Sequence, residues 1–295
     1  MAVEESSREG YRAGAEGYRA SATLSYGTEL RRQLARRRTQ LTLGFMALLP
    51  LIVLVAFEFG NGNSSNDNDQ GQFSALATIA TTGGLNFALF TLLVSASFLL
   101  IVVVALFCGD TVASEASWGS LRYLLAIPVP RARLLGSKLL VALTFCGVSL
   151  VLLTGVALAA GTIRYGWHPL GSNVSADIPT GPALWRLCGI VGYLAISLLI
   201  VASLAFLLSV STDAPLGAVG GAVLLQILSS ILDQITALGS IRDYLPTHYG
   251  QAWLGLLSTP VQTTDIVKGS LVSLVYAGVF FSLAWFRFLR KDVVS

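Results

Sequence analysis

Six long apolar runs decide what this chain can become. They cover residues 40–57, 85–107, 138–161, 187–210, 215–238 and 270–288. A helix rising about 1.5 Å per residue needs about 20 residues to cross a hydrocarbon layer of about 30 Å. The runs are continuous, without period-two alternation. Helices, not a barrel, therefore satisfy the backbone in lipid. Of 295 residues, 54% are hydrophobic and 12% charged. Soluble domains carry about 25% charged residues, and a soluble fold could not hide this much apolar surface. The fold class expected is an all-α integral membrane protein with six transmembrane helices.

Lysine and arginine orient such a bundle. With six spans both termini share a side. That side receives Arg8, Arg12, Arg19, Arg31, Arg32, Arg36, Arg37, Arg38, Arg122, Arg131, Arg133, Lys138, Arg287, Arg290 and Lys291. The other receives Arg164, Arg186, Arg242 and Lys268. Both termini are expected in the cytoplasm. The prefix shows no apolar core followed by a small-residue cleavage site, so no cleaved signal peptide is expected.

Residues 1–22 read as a disordered tail and 23–295 as one membrane domain. Leu24, Leu30, Leu34 and Leu41 fall near helical spacing between arginines. This is an amphipathic helix on the membrane surface, or a basic flank that orients the first span; both can hold. Residues 75–84 are expected to form a short interfacial helix. Tyr244, Tyr249 and Trp253 suit an interfacial belt, and His248 among them reads as a solvated loop residue.

The chemistry the chain lacks is informative. The span interiors are uncharged, with Asp110 and Asp213 at inner ends and Glu58 and Asp233 near outer ends. Proton- or sodium-driven carriers need ionisable groups near the middle, and broken half-helices at matched positions are not evident. No GxSxG or HExxH set is present, and Gly136-Ser137-Lys138 lacks the rest of a phosphate loop. No ATP hydrolysis is expected from this chain alone. Cys108, Cys146 and Cys188 read as small buried hydrophobes. The candidate residues for a substrate path or a contact with a second copy are Gln226, Ser229 and Ser95. The Gln226 amide needs a partner in hydrocarbon: substrate, a neighbouring helix or a second subunit. Gly217 and Gly221 form a GxxxG pair suited to close helix approach.

The passage from Cys108 to Lys138 is the strongest polar interruption. Glu115, Trp118 and Arg122 lie on one helical face, and Pro128 stops the helix. The pattern Glu115-x-x-x-Gly119-Ser120-Leu121-Arg122-x-Leu124-Leu125-x-x-Pro128-Val129-x-Arg131, with Lys138 after it, resembles the signature of type-2 ABC exporter permeases. Ser120 stands where threonine is common. The tail Phe286 to Asp292 (FRFLRKD) is similar to theirs as well.

The resemblance implies a membrane subunit of a bacterial ATP-driven exporter of the inner (plasma) membrane. Its path would form between two permease copies, a homodimer being expected, with the second and fifth spans facing the partner. ATP and Mg would sit on a separate ATP-binding cassette subunit, and no cofactor on this chain. A cytoplasmic coupling helix between spans two and three would dock on that subunit through Glu115, Trp118, Gly119, Arg122, Pro128 and Arg131. Arg131, Arg133 and Lys138 also read simply as orientation signals. The expected substrate is a hydrophobic or amphipathic drug, lipid or peptide. The alternatives are an ion-coupled secondary transporter, or a membrane assembly factor or enzyme without transport. No nucleic-acid or metal role is expected.

Overall fold

The structure, a computed structural model, describes residues 26–60, 77–117, 130–171 and 178–290. The elements in order are α1 (Tyr26–Leu34), α2 (Arg37–Gly60), α3 (Gly84–Ala96), α4 (Leu99–Ser117), α5 (Arg131–Tyr165), α6 (Thr180–Ser197), α7 (Leu199–Ser211), α8 (Pro215–Gln234) and α9 (Thr264–Leu289). Two short 3-10 helices, Thr236–Tyr244 and Ala252–Leu257, lie between α8 and α9. Among the described residues the extended pairing is one isolated bridge, Leu170 to Ile178. Six helices are long and apolar enough to cross a membrane. The chain is a multi-pass helical membrane protein.

Helices cover the six expected apolar runs with shifted ends, the run at 85–107 being divided between α3 and α4. The third begins at Arg131, because Pro130 (φ −56°) sets up the first turn. Lys138 therefore sits inside α5 and does not merely flank it. The fifth opens with Pro215 at its first turn and closes at Gln234, short of residue 238. Gly239 (φ +55°) then turns the chain in the left-handed region that glycine adopts without strain. The second span extends to Ser117, so Asp110 and Glu115 ride on α4 itself. The second and fourth spans are each interrupted, at Ser97–Phe98 and at Leu198. The sequence does not reveal those matched interruptions. Ser97 and Leu198 keep right-handed helical φ and ψ. Residues 77–80 form one helical turn where the interfacial helix is expected.

The core is organised about α4. It packs on α7, α8 and α5, while α9 closes over α7 and α2 and α3 lie on α5. In its apolar stretch 72% of residues are buried, against 11% in α2 and in α8. The second span thus supplies the central helix of the bundle. Open apolar faces lie on α2, α8 and α9, that of α8 running through Leu224, Leu228 and Ile231. Lipid tails are as apolar as leucine, so close packing and interhelical hydrogen bonds hold these helices together. Gly109 supplies one close approach: a Cβ there would lie 2.9 Å from Val219 Cγ2. Of the Gly217/Gly221 pair, Gly221 makes a close approach to α7, where a Cβ would lie 3.1 Å from Leu208 Cδ1, whereas Gly217 would meet only Ala214, at 3.6 Å. Ser209 of α7 supplies a cross-span bond. Its Oγ accepts the backbone N–H groups of Val112 and Ala113, both at 3.0 Å.

Candidate functional site

Two polar assemblies interrupt the apolar bundle, one at each end. The first lies where α1, α4 and α5 meet. Helix α1 places Glu29 and Arg32 one turn apart, and the α1–α2 corner adds Arg36 and Arg38. Helix α4 contributes Asp110 and Glu115, and α5 contributes Lys138. Lys138 Nζ donates to Glu115 Oε1 at 2.6 Å and to Glu29 Oε1 at 3.3 Å. Arg32 Nη2 donates to the same Glu115 oxygen at 2.9 Å, and Arg36 Nη2 stands 3.9 Å from it. Arg38 Nη1 bonds Asp110 Oδ1 at 3.0 Å.

Lys138 and Glu115 are 2% and 1% exposed, which decides their role. A buried charge persists only if it is paired and hydrogen-bonded. Three carboxylates here face four cations, and the surface helix supplies part of the neutralisation. The cluster therefore clamps α1 onto the second and third spans. Tyr26 adds a bond from its hydroxyl to Thr144 Oγ1 at 2.7 Å.

The second assembly is a cavity of about 400 Å³. It opens where the interrupted second and fourth spans face α8. Gln226, Ser230, Asp233 and Gln234 form a polar stripe along one face of α8. Leu93, Leu100, Leu194 and Val201 oppose it. The cap comes from the 245–253 loop, with His248, Gln251 and the buried Trp253. Polar and apolar groups line it in about equal share.

The cap is pinned from several spans. His248 Nδ1 lies 2.7 Å from Asp233 Oδ1, and His248 Nε2 lies 3.4 Å from Asp243 Oδ1. Arg242 Nε also faces Asp233, at 3.6 Å. Ser229 of α8 bonds Thr247 at 2.9 Å, and the Tyr193 hydroxyl donates to the Tyr249 carbonyl at 2.6 Å. Arg186 reaches the carbonyls of Leu256 and Ser258. A second polar recess, with Asp243, Tyr249, Asp265 and Lys268, adjoins this one and shares His248 and Gln251. Burial first, then the neighbouring Asp243, Asp265 and Tyr244, raise the Tyr249 phenol above its ordinary range, so it stays a neutral hydroxyl.

The expected site residues divide accordingly. Glu115 is drawn inward, into the clamp. Trp118, Gly119, Arg122 and Pro128 lie outside the described residues, and Arg131 opens α5. Gln226 lines the cavity. Ser229 does not; it holds the cap through Thr247. Ser95 is 1% exposed on α3, and its Oγ has no hydrogen-bond partner among the described residues. His248 is not a solvated loop residue. Two carboxylates stand beside it, one of them brought from α8 by the fold. Cys108 is buried as expected, and Cys146 partly so with its Sγ 3.8 Å from that of Cys108, while Cys188 is exposed on α6. Glu29, Arg32, Arg36 and Lys138 are the functional partners that sequence spacing missed. The available signal was Glu29, a lone acid in an arginine-rich amphipathic helix.

Among the described residues no group of three or more His, Cys, Asp or Glu side chains is arranged to hold a metal ion. Residues 44–294 match the profile of a family described as protein of unknown function DUF2705. The chain belongs to the DUF2705 family. The comparison with curated proteins returns no match. In this DUF2705 protein the matched region begins inside α2. It takes in the cavity and the α4–α5 side of the clamp and leaves α1 outside.

Proposed function

We propose that this protein is the permease subunit of an ATP-driven exporter. Both termini would lie in the cytoplasm of a bacterial plasma membrane, and the polar cavity would be part of the substrate route. One observation carries the reading: α4 joins the two polar assemblies. Its far end, at Glu115, is held in the charge clamp immediately before the 118–130 segment, and its near end, at Leu100 and Ile101, lines the cavity. A push on the 118–130 segment would therefore pass along a rigid helix to the cavity wall. The energy would come from ATP and Mg bound on a separate ATP-binding cassette subunit. That subunit would engage Trp118, Gly119 and Arg122. Glu115 would act from behind, holding the base of the segment. A second copy of the chain would complete the path, with the exposed face of α8 as its contact. A cavity with one polar stripe and apolar walls suits an amphipathic substrate better than a small inorganic ion.

The test reconstitutes the chain in liposomes, alone and with a candidate ATP-binding cassette subunit from the same genome. Export is expected only with the partner and ATP. A Gly119→Cys variant is expected to crosslink to that subunit, identified by its nucleotide-binding motifs. The secondary-transporter reading rests on Asp233 and His248 at the cavity. Transport driven by a proton gradient, with neither ATP nor partner, would establish it and sink the proposal.

A further inference from the structure

A third recess lies between α7 and α9, at the end of the bundle that carries the charge clamp. Its volume is about 780 Å³, within the usual range of ligand pockets of about 300–1,000 Å³. Leu207, Leu208, Leu283 and Phe286 form its walls, and Arg287 and Arg290 stand where α9 ends. Among the described residues no acidic side chain lines it. The two arginines are three residues apart on one helical face. Arg290 is held over the groove's own aromatic wall, its Cζ 3.8 Å from the Phe286 ring centroid.

Several arginines of the bundle are neutralised by carboxylates, although Arg31 and Arg37, like this pair, have none within ion-pair distance among the described residues. Arg32, Arg36 and Arg38 each face a carboxylate at the same end, and Arg164 faces Glu58 at the other. Among the described residues neither Arg287 nor Arg290 has a carboxylate within ion-pair distance. Both are exposed. An apolar trough running along two spans and ending in two exposed guanidinium groups is complementary to one kind of molecule. That molecule has an acyl chain and an anionic head group, joined at the level where hydrocarbon meets water. Guanidinium groups match phosphate oxygens with paired, directional donors.

We propose that the α7–α9 groove is a binding site for an anionic phospholipid. Its phosphate lies between Arg287 and Arg290, and an acyl chain lies along Leu207, Leu208, Leu283 and Phe286. This site is separate from the substrate cavity and does not depend on the transport reading. A bound lipid would bridge α7 and α9, which pack directly on each other.

The test is native mass spectrometry of the full chain in detergent, titrated with phosphatidylglycerol or phosphatidylcholine of matched chains. Phosphatidylglycerol is expected to be retained preferentially by the wild type. Arg287→Gln with Arg290→Gln should weaken its retention roughly tenfold or more, because each basic side chain near an anionic lipid contributes separately. Lysine at both positions should keep most of the preference, and Lys268→Gln, at the other end, should change nothing. Excess inorganic phosphate should not displace the lipid. Equal retention of the two lipids by the wild type overturns the proposal even if a variant proves unstable. Unchanged retention by the glutamine variant, displacement by phosphate alone, or burial of Arg287 and Arg290 in a contact between two copies would overturn it too.

Discussion

Replacing Lys138 with methionine tests the charge clamp most directly. Methionine has similar length and no charge, so the cavity left is small and the electrostatic change dominates. The Lys138 ammonium is the shortest donor to Glu115 Oε1, at 2.6 Å, and is itself 2% exposed. Removing one member of a buried pair costs about 3–5 kcal/mol when the other charge is stranded. Glu115 is not fully stranded here. Arg32 remains at 2.9 Å, but its side chain is 43% exposed and water screens it. The expected loss is therefore about 2–4 kcal/mol, at or just under that range. It should fall first on α1, whose Glu29 loses its Lys138 contact at the same time.

The assay is maleimide labelling of a cysteine placed at Gln33, which is buried in the intact clamp. Lys138→Met should raise the labelling rate at least about tenfold, the factor that corresponds to about 1.4 kcal/mol of local opening. Glu115→Leu together with Lys138→Met removes the whole pair, so the double variant should be less perturbed than the sum of the single ones. Unchanged labelling in Lys138→Met, or additivity of the two substitutions, would refute the clamp.

Three further outcomes follow from the same geometry. Ser209→Ala removes the acceptor shared by the Val112 and Ala113 amides; chemical unfolding in detergent should show a loss of about 1–3 kcal/mol, whereas Ser211→Ala, which only bonds its own helix, should lose little. Gly109→Val would drive a side chain into Val219, and thermal melting should record about 1–3 kcal/mol of destabilisation from the forced separation of α4 and α8. His248→Ala removes the bridge between Asp233 and Asp243; proteolysis within the 245–253 loop should accelerate while the helical content by circular dichroism stays constant, and equal protection in both proteins would show that the bridge does not hold the cap.

Sequence alone determined the class of this protein. Six runs long enough to span hydrocarbon can satisfy their backbones in lipid only as helices, and that requirement is local. The amphipathic character of residues 26–34 was equally legible, because it depends on spacing within one element. The partners of charged residues were not legible. Glu29, Glu115 and Lys138 come from three helices, separated by up to 109 positions along the chain, and only the packing of α4 at the centre brings them together. Lys138 looked like a flanking charge because its burial depends on α5 starting at Arg131. His248 looked solvated because its carboxylate, Asp233, belongs to a different element. Gln226 could be marked as a polar side chain in hydrocarbon, but the cavity it lines is completed by two other spans and the 245–253 loop. Periodicity reports what one helix does in lipid. Which polar groups meet is set by crossings such as Gly109 on Val219, and those exist only once the helices have packed.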